Sequence, residues 1–81
     1  MRLDKYLKTA RLFKRRAVAR EVLREGLVTV NGRLAKPSTT VRPGDVVTIK
    51  LGPRTISFEV IAINEHVTAE EAPTLYKMLT E

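Results

Sequence analysis

Gly26-Leu27-Val28-Thr29-Val30-Asn31-Gly32-Arg33-Leu34-Ala35 is the stretch on which the fold turns. Leu27 to Val30 is a run rich in β-branched residues, and Asn31-Gly32 is the strongest two-residue hairpin signal, since both positions of a primed turn need positive φ. Arg33-Leu34-Ala35 then returns as the second strand. Ahead of the hairpin the period is helical. Gly26 stands where a left-handed residue ends a helix, and the pattern from Lys14 to Glu25 places Val18, Val22 and the Ala19/Leu23 pair inward. Leu3, Tyr6, Leu7 and Ala10 repeat at helical spacing, with Asp4, Lys5 and Lys8 on the other side, so residues 2–9 read as a short amphipathic helix.

Beyond the hairpin, Lys36-Pro37-Ser38-Thr39-Thr40 reads as a loop and Arg42-Pro43-Gly44-Asp45 as a turn. Val46 to Leu51 reads as a strand, Gly52-Pro53-Arg54 as a turn, and Thr55 to Ile63 as a longer strand pairing back. Thr68 with Glu71 matches a capping box, and Leu75, Tyr76 and Leu79 predict a short C-terminal helix beginning at Ala69 or at Pro73. The expected architecture is α+β: two N-terminal helices on a small, mostly antiparallel sheet, with a short C-terminal helix. Eighty-one residues form one domain, residues 1–81, because so short a chain cannot bury a second core.

Charge narrows the function. Residues 1–25 hold nine Lys or Arg against three acids, whereas the other 56 residues hold six of each sign, so the whole net charge of +6 lies in the first third. An excess confined in this way reads as a surface for a polyanion. Lys14-Arg15-Arg16 opens a helix with three cations, against the roughly half positive charge that the helix dipole already places there, and no Ser, Thr, Asp or Asn precedes it as a cap. A bound phosphate satisfies both the free amides and the cations. Arg11, Lys14 and Arg15 share one side of the helix junction with Arg2, while Arg16, Arg20 and Arg24 form a stripe at i+4 steps. For Asp4 two roles stand open: interaction with the helix N-terminus and Lys8, or orientation of a neighbouring Arg toward RNA. Tyr6 lies on the apolar stripe and is expected in the core; Phe13 suits packing or base stacking equally.

The chain has no Cys, and its single His66 has no partners for a metal. No hydroxyl has an adjacent base and no glycine-rich phosphate loop is present, so neither catalysis nor a cofactor nor a small-molecule substrate is expected. With no apolar run of membrane-spanning length, a cytoplasmic protein is expected. A peripheral membrane binder needs a large exposed apolar face beside the basic one, and a DNA-reading helix would be Lys14 to Glu25, which offers no Asn or Gln for adenine.

Arg2-Leu3-Asp4-Lys5-Tyr6-Leu7, Ala10-Arg11-Leu12, Lys14-Arg15-Arg16-Ala17 and Gly26 to Gly32, in that order, resemble the alpha-L RNA-binding domain named after the fourth small-subunit ribosomal protein. The resemblance covers about residues 2–50. It implies two helices and a hairpin presenting one RNA-binding face, with Arg2, Arg11, Lys14, Arg15, Arg16, Lys36 and Ser38 at or near RNA; Asp4, Lys5 and Arg20 complete the candidate set. Lys14 departs from the wider family, in which a Ser or Thr often opens the second helix. Such domains are often fused to RNA-modifying enzymes, for whose catalytic part this chain has no room.

Within the family, a chain this short ending in Glu70-Glu71-Ala72 and Leu75-Tyr76-Lys77-Met78-Leu79 is similar to the ribosome quality-control branch. That likeness implies large-subunit rRNA and peptidyl-tRNA as partners, on an obstructed large subunit, during alanine tailing by a tail-elongation factor, with the chain acting as a monomer. The fifteen-kilodalton heat-shock branch is also similar through Lys36-Pro37-Ser38. It implies binding of a stalled subunit without tailing, and carries a basic tail that is absent here. A generic structured-RNA-binding module is the remaining alternative.

Overall fold

The computed structural model describes residues 1–80. Helix α1 spans Leu3–Thr9 and α2 Arg16–Arg24, followed by strands β1 (Val28–Val30), β2 (Arg33–Leu34), β3 (Val46–Leu51) and β4 (Arg54–Val60), a single 3₁₀ turn at Ala72–Leu75, and β5 (Tyr76–Thr80). The five strands form one sheet in the order β2-β1-β3-β4-β5, and every pairing is antiparallel. No helix is long and apolar enough to cross a membrane among the described residues.

The hairpin forms as its sequence demands. Asn31 and Gly32 both take positive φ, 52° and 82°. The Asn31 side chain also ties the hairpin tip to the start of β3, donating to Asp45 Oδ1 and accepting from the Val46 amide. In the sheet, Val28 pairs Ile49 and Val47 pairs Phe58, so the inward positions line up across three strands. Val28, Val47, Ile49, Phe58 and Val60 are buried, at the period of two that a half-covered sheet imposes. Leu3, Tyr6, Leu7 and Ala10 of the first helical stripe close over them, joined by Ala19 and Leu23 of α2. Tyr6 stacks on Phe58 at 6.3 Å between ring centroids, and its hydroxyl donates to the Leu75 carbonyl at 2.6 Å. The core placement of Tyr6 therefore holds, and burial pushes its phenol above its ordinary pKa. Phe13 is half-buried and packs against this core.

Three expectations need correction. The second helix begins at Arg16 and not at Lys14, because the residues after α1 are used in closing that helix and Arg15 is extended, φ −129°. Val18 is 48% exposed: the seam of α2 is the narrow i, i+4 pair Ala19 and Leu23, with Val22 half-buried at its border. The C-terminal helix is only the one 3₁₀ turn, and Tyr76–Thr80 is a strand on the outer edge of β4. The Leu75 carbonyl explains the last difference. It accepts from the Tyr6 hydroxyl and from the Ile61 and Ala62 amides, so it is committed to tertiary partners rather than to a helical amide four residues on. A strand at Tyr76–Thr80 also satisfies the ladder groups of β4 and sets the Tyr76 ring edge-on to Phe58, 5.7 Å between centroids. The Thr68–Glu71 box does form, with each side chain accepting from the other's backbone amide, and it leads into the turn.

Candidate RNA-binding face

The two N-terminal helices end their free amides in opposite ways. In α1 the Leu3 amide donates to the Thr39 carbonyl, the Asp4 amide to the Pro37 carbonyl, and the Lys5 amide to Asp4 Oδ1 at 2.8 Å. The loop after the hairpin is thereby pinned to the start of α1, which brings Lys36 and Ser38 beside Arg2; a bridge between Arg2 and Thr40 completes the joint. In α2 the N-cap Arg15 gives no side-chain cap, and among the described residues no acceptor meets the amides of Arg16, Ala17 or Val18. Three donors and half a helix-dipole charge face outward there.

Asp4 organises the ground between these helix starts. Its side chain is wholly inaccessible to solvent, a rare state for a carboxylate. It accepts from Arg2 Nε and Nη2, both at 3.3 Å, and from Arg16 Nη2 at 3.2 Å. The arginine side chains are themselves half-exposed, at 52% and 41%, so the carboxylate lies under a thin cover of two guanidinium groups rather than deep in the core. Burial pushes its pKa up, but the hydrogen bond from Arg16, the Lys5 amide and the charges of Arg16 and Arg2 outweigh it, holding the carboxyl below its ordinary value. Asp4 thus touches the first turn of α1 through the Lys5 amide, joins Arg2 ahead of α1 to Arg16 of α2, and among the described residues makes no ion pair with Lys8.

The linkage sign follows from that direction. A carboxylate whose folded pKa is depressed adds stability that is fully present above its unfolded value, about 3.9, and is lost as pH falls through the folded value. Thermal melting of the parent is therefore expected to lose stability more steeply below about pH 4 than Asp4→Asn, whose residue 4 does not titrate. Parallel pH profiles would contradict this.

The other candidates take distinct places. Lys14 and Arg15 are exposed just ahead of α2. Arg20 is half-buried one turn beyond Arg16, on the stripe that runs to Arg24. Lys5 is turned to Glu65, 2.7 Å away, and so is tied to the segment after β4 rather than gathered with Arg2 and Arg16. That pair holds the Glu65 carboxyl below its ordinary pKa through the Lys5 hydrogen bond.

Arg11 was legible as a cation but not as a strained one. After α1 the Arg11 amide donates to the Lys8 carbonyl and the Leu12 amide to the Leu7 carbonyl, the paired closure that usually takes Gly at its left-handed position. The same closure after α2 uses Gly26, φ 76°, but here Arg11 sits at φ 59°. A left-handed Arg costs about 1–2 kcal/mol, so its side chain is retained against a local preference. Arg11→Gly is expected to raise stability by about 0.5–1 kcal/mol after Gly's greater unfolded freedom is set against the relieved strain. Affinity for RNA should fall in the same variant if Arg11 belongs to the face, and unchanged affinity would remove it.

Comparison with known proteins places this geometry. The family model of the S4 domain, which is the alpha-L RNA-binding domain, matches residues 1–47. Over the full chain, 47% of residues are identical to the RQC P-site tRNA stabilizing factor of Halalkalibacterium halodurans, of which 92% is covered. Heat shock protein 15 of Escherichia coli is 40% identical, again over the full chain, which spans 62% of that protein. The trimeric structure of Vibrio cholerae heat shock protein 15 superposes with a TM-score of 0.88 at 36% identity, covering 98% of this chain and 81% of that one. The two helices, the loop pinned to α1 and the Asn31-Gly32 hairpin are thus the local expression of a shared fold, and the chain belongs to the S4 domain family, in which its full-length relatives include the RQC P-site tRNA stabilizing factors.

Proposed function

We propose that this chain is a non-catalytic rRNA- and tRNA-binding protein that docks, as a cytoplasmic monomer, on large ribosomal subunits obstructed by peptidyl-tRNA. The observation that carries the reading is the buried Asp4 holding Arg2 and Arg16 beside the uncapped start of α2. Free amides, helix dipole and preset guanidinium forks form one anion-seeking surface. Arg15 and Lys14 extend it on one side, and Lys36 and Ser38 border Arg2 on the other. The names of the relatives point to a ribosome-bound tRNA as the anion's source. Support of alanine tailing by a tail-elongation factor is the specific role proposed within that setting.

Phosphate contacts make a quantitative demand. If five or six phosphates are neutralised, the logarithm of affinity for large subunits is expected to fall against the logarithm of salt with a slope of about −4 to −5. A slope near zero would show that phosphates are not the source of affinity.

The likeness to heat shock protein 15 supports a second reading, in which stalled subunits are bound without tailing. Reconstitution with obstructed subunits and the elongation factor separates the two. Alanine incorporation that rises when the chain is added supports tailing, and binding without any change in incorporation supports the second reading.

A further inference from the structure

Beside the phosphate-seeking surface lies an open groove of about 470 Å³ between the end of α2, strand β2 and the loop after it. Buried Leu23 and Ala35 line it together with the half-buried Pro37 and with Leu34. Leu34 is 67% exposed, the most exposed large hydrophobic side chain among the described residues. Gly26 ends α2 at the edge of the groove with φ 76°, and a Cβ there would make only ordinary contact with Leu34 Cδ1 at 3.7 Å. Arg2, Arg24 and Lys36 stand in the same wall, and among the described residues no acid does.

This combination does not suit phosphate alone, because an apolar wall gives nothing to an anion and removes its water. It suits a nucleotide whose base has left its stack: the flat base face is apolar and is covered by side chains or guanidinium planes, while its phosphates need cations. An apolar protein segment would match Leu34 and Pro37 but would bring no anion to Arg24 and Lys36, the two groove cations that, unlike Arg2, are not already shared with Asp4.

We infer that the groove takes one unpaired nucleotide of the bound RNA, its base against Leu34 and Pro37 and its phosphates on Arg2, Arg24 and Lys36. The inference rests on the RNA-binding reading above and adds to it a contact with a base. Arg24, which the sequence puts on the i+4 stripe with Arg16 and Arg20 but outside the candidate set, becomes part of the site. Leu34 becomes a specificity-determining residue for flipped-out over stacked nucleotides.

Two probes isolate the base: a short single-stranded ribonucleotide oligomer and an abasic oligomer with the same number of phosphates. The parent is expected to bind the first about five-fold more tightly than the second, equivalent to about 1 kcal/mol, with NMR shifts at Leu34 and Pro37 only for the oligomer with bases. Leu34→Ser, at an exposed position, should melt close to the parent and lose that five-fold difference, while its salt slope and its affinity for the abasic oligomer stay unchanged. Arg24→Ala should instead weaken both oligomers and flatten the slope by about one phosphate's share. Equal binding of the two oligomers by the parent overturns the inference and leaves the phosphate surface standing. Failure to bind either oligomer or large subunits overturns the RNA-binding reading itself. Concentration-dependent association that Leu34→Ser abolishes would assign the groove to a second copy of the chain and also overturn the inference.

Discussion

Asp4→Ala is expected to lower the melting temperature by about 8–16 °C and, in the fraction that remains folded, to weaken subunit binding at least ten-fold. Removing one partner of a fully buried ion pair costs about 3–5 kcal/mol. Here the two arginines are half-exposed and recover water, so the expected cost is nearer 2 kcal/mol, and each 1 kcal/mol moves the midpoint of a domain this size by about 4–8 °C. Part of that cost is the Lys5 amide, which loses its cap. The binding loss has another origin: Arg2 and Arg16 keep their charges but lose their common anchor, so ordering their guanidinium groups must be offset at the moment of binding. Asp4→Asn separates the two effects, since it keeps the amide cap and the volume while placing a donor where one arginine nitrogen now donates. Its melting temperature should fall less than that of Asp4→Ala, with most of the binding loss retained. Parent-like binding in both variants would mean that Asp4 serves folding alone.

The same contacts change how the cations must be tested. Read from sequence, Arg15 and Arg16 are equivalent probes of a basic helix start. In the fold Arg16 shares the buried Asp4, and its Nε is buried without a hydrogen-bond partner among the described residues, so Arg16→Ala disturbs the fold's own electrostatics. Arg15 is exposed and caps α2 only through its backbone. Loss of binding at Arg15 therefore reports on docking, while loss at Arg16 mixes docking with folding.

What was legible in the sequence was whatever local chemistry decides. Asn31-Gly32 can form few structures other than a primed turn, Gly26 is the cheapest end for α2, and the stripe Leu3, Tyr6, Leu7, Ala10 has one face to bury. What escaped depends on partners far along the chain. Residues 76–80 have an apolar pattern that serves a helix or a strand, and the choice is made by the open edge of β4 and by Tyr6, Ile61 and Ala62 converging on the Leu75 carbonyl. The burial of Asp4 needs Arg16, twelve residues on, to be folded back over it. The cationic third was visible as a count, yet its division was not: Lys5 is diverted to Glu65, and Arg24 is drawn to a groove with Arg2 and Lys36. The strain at Arg11 had a sequence signal, a non-Gly residue immediately after a helical stripe ending at Ala10, which becomes decisive only once φ is known.

The most direct test of the account is co-sedimentation of Arg15→Ala and Lys77→Ala with large subunits carrying peptidyl-tRNA, each beside the parent and each with its melting curve. Arg15→Ala removes a charge-assisted contact worth about 1.5–3 kcal/mol and is expected to bind about 10- to 150-fold more weakly at an unchanged or slightly raised melting temperature. Lys77 lies on β5, exposed and outside the basic third. Beyond about 8 Å an exposed charge is screened at physiological salt, so Lys77→Ala is expected to bind within about 0.5 kcal/mol of the parent. Equal losses in the two variants would show that only total charge draws the protein to RNA, and would contradict a docking face built around Asp4 and the start of α2.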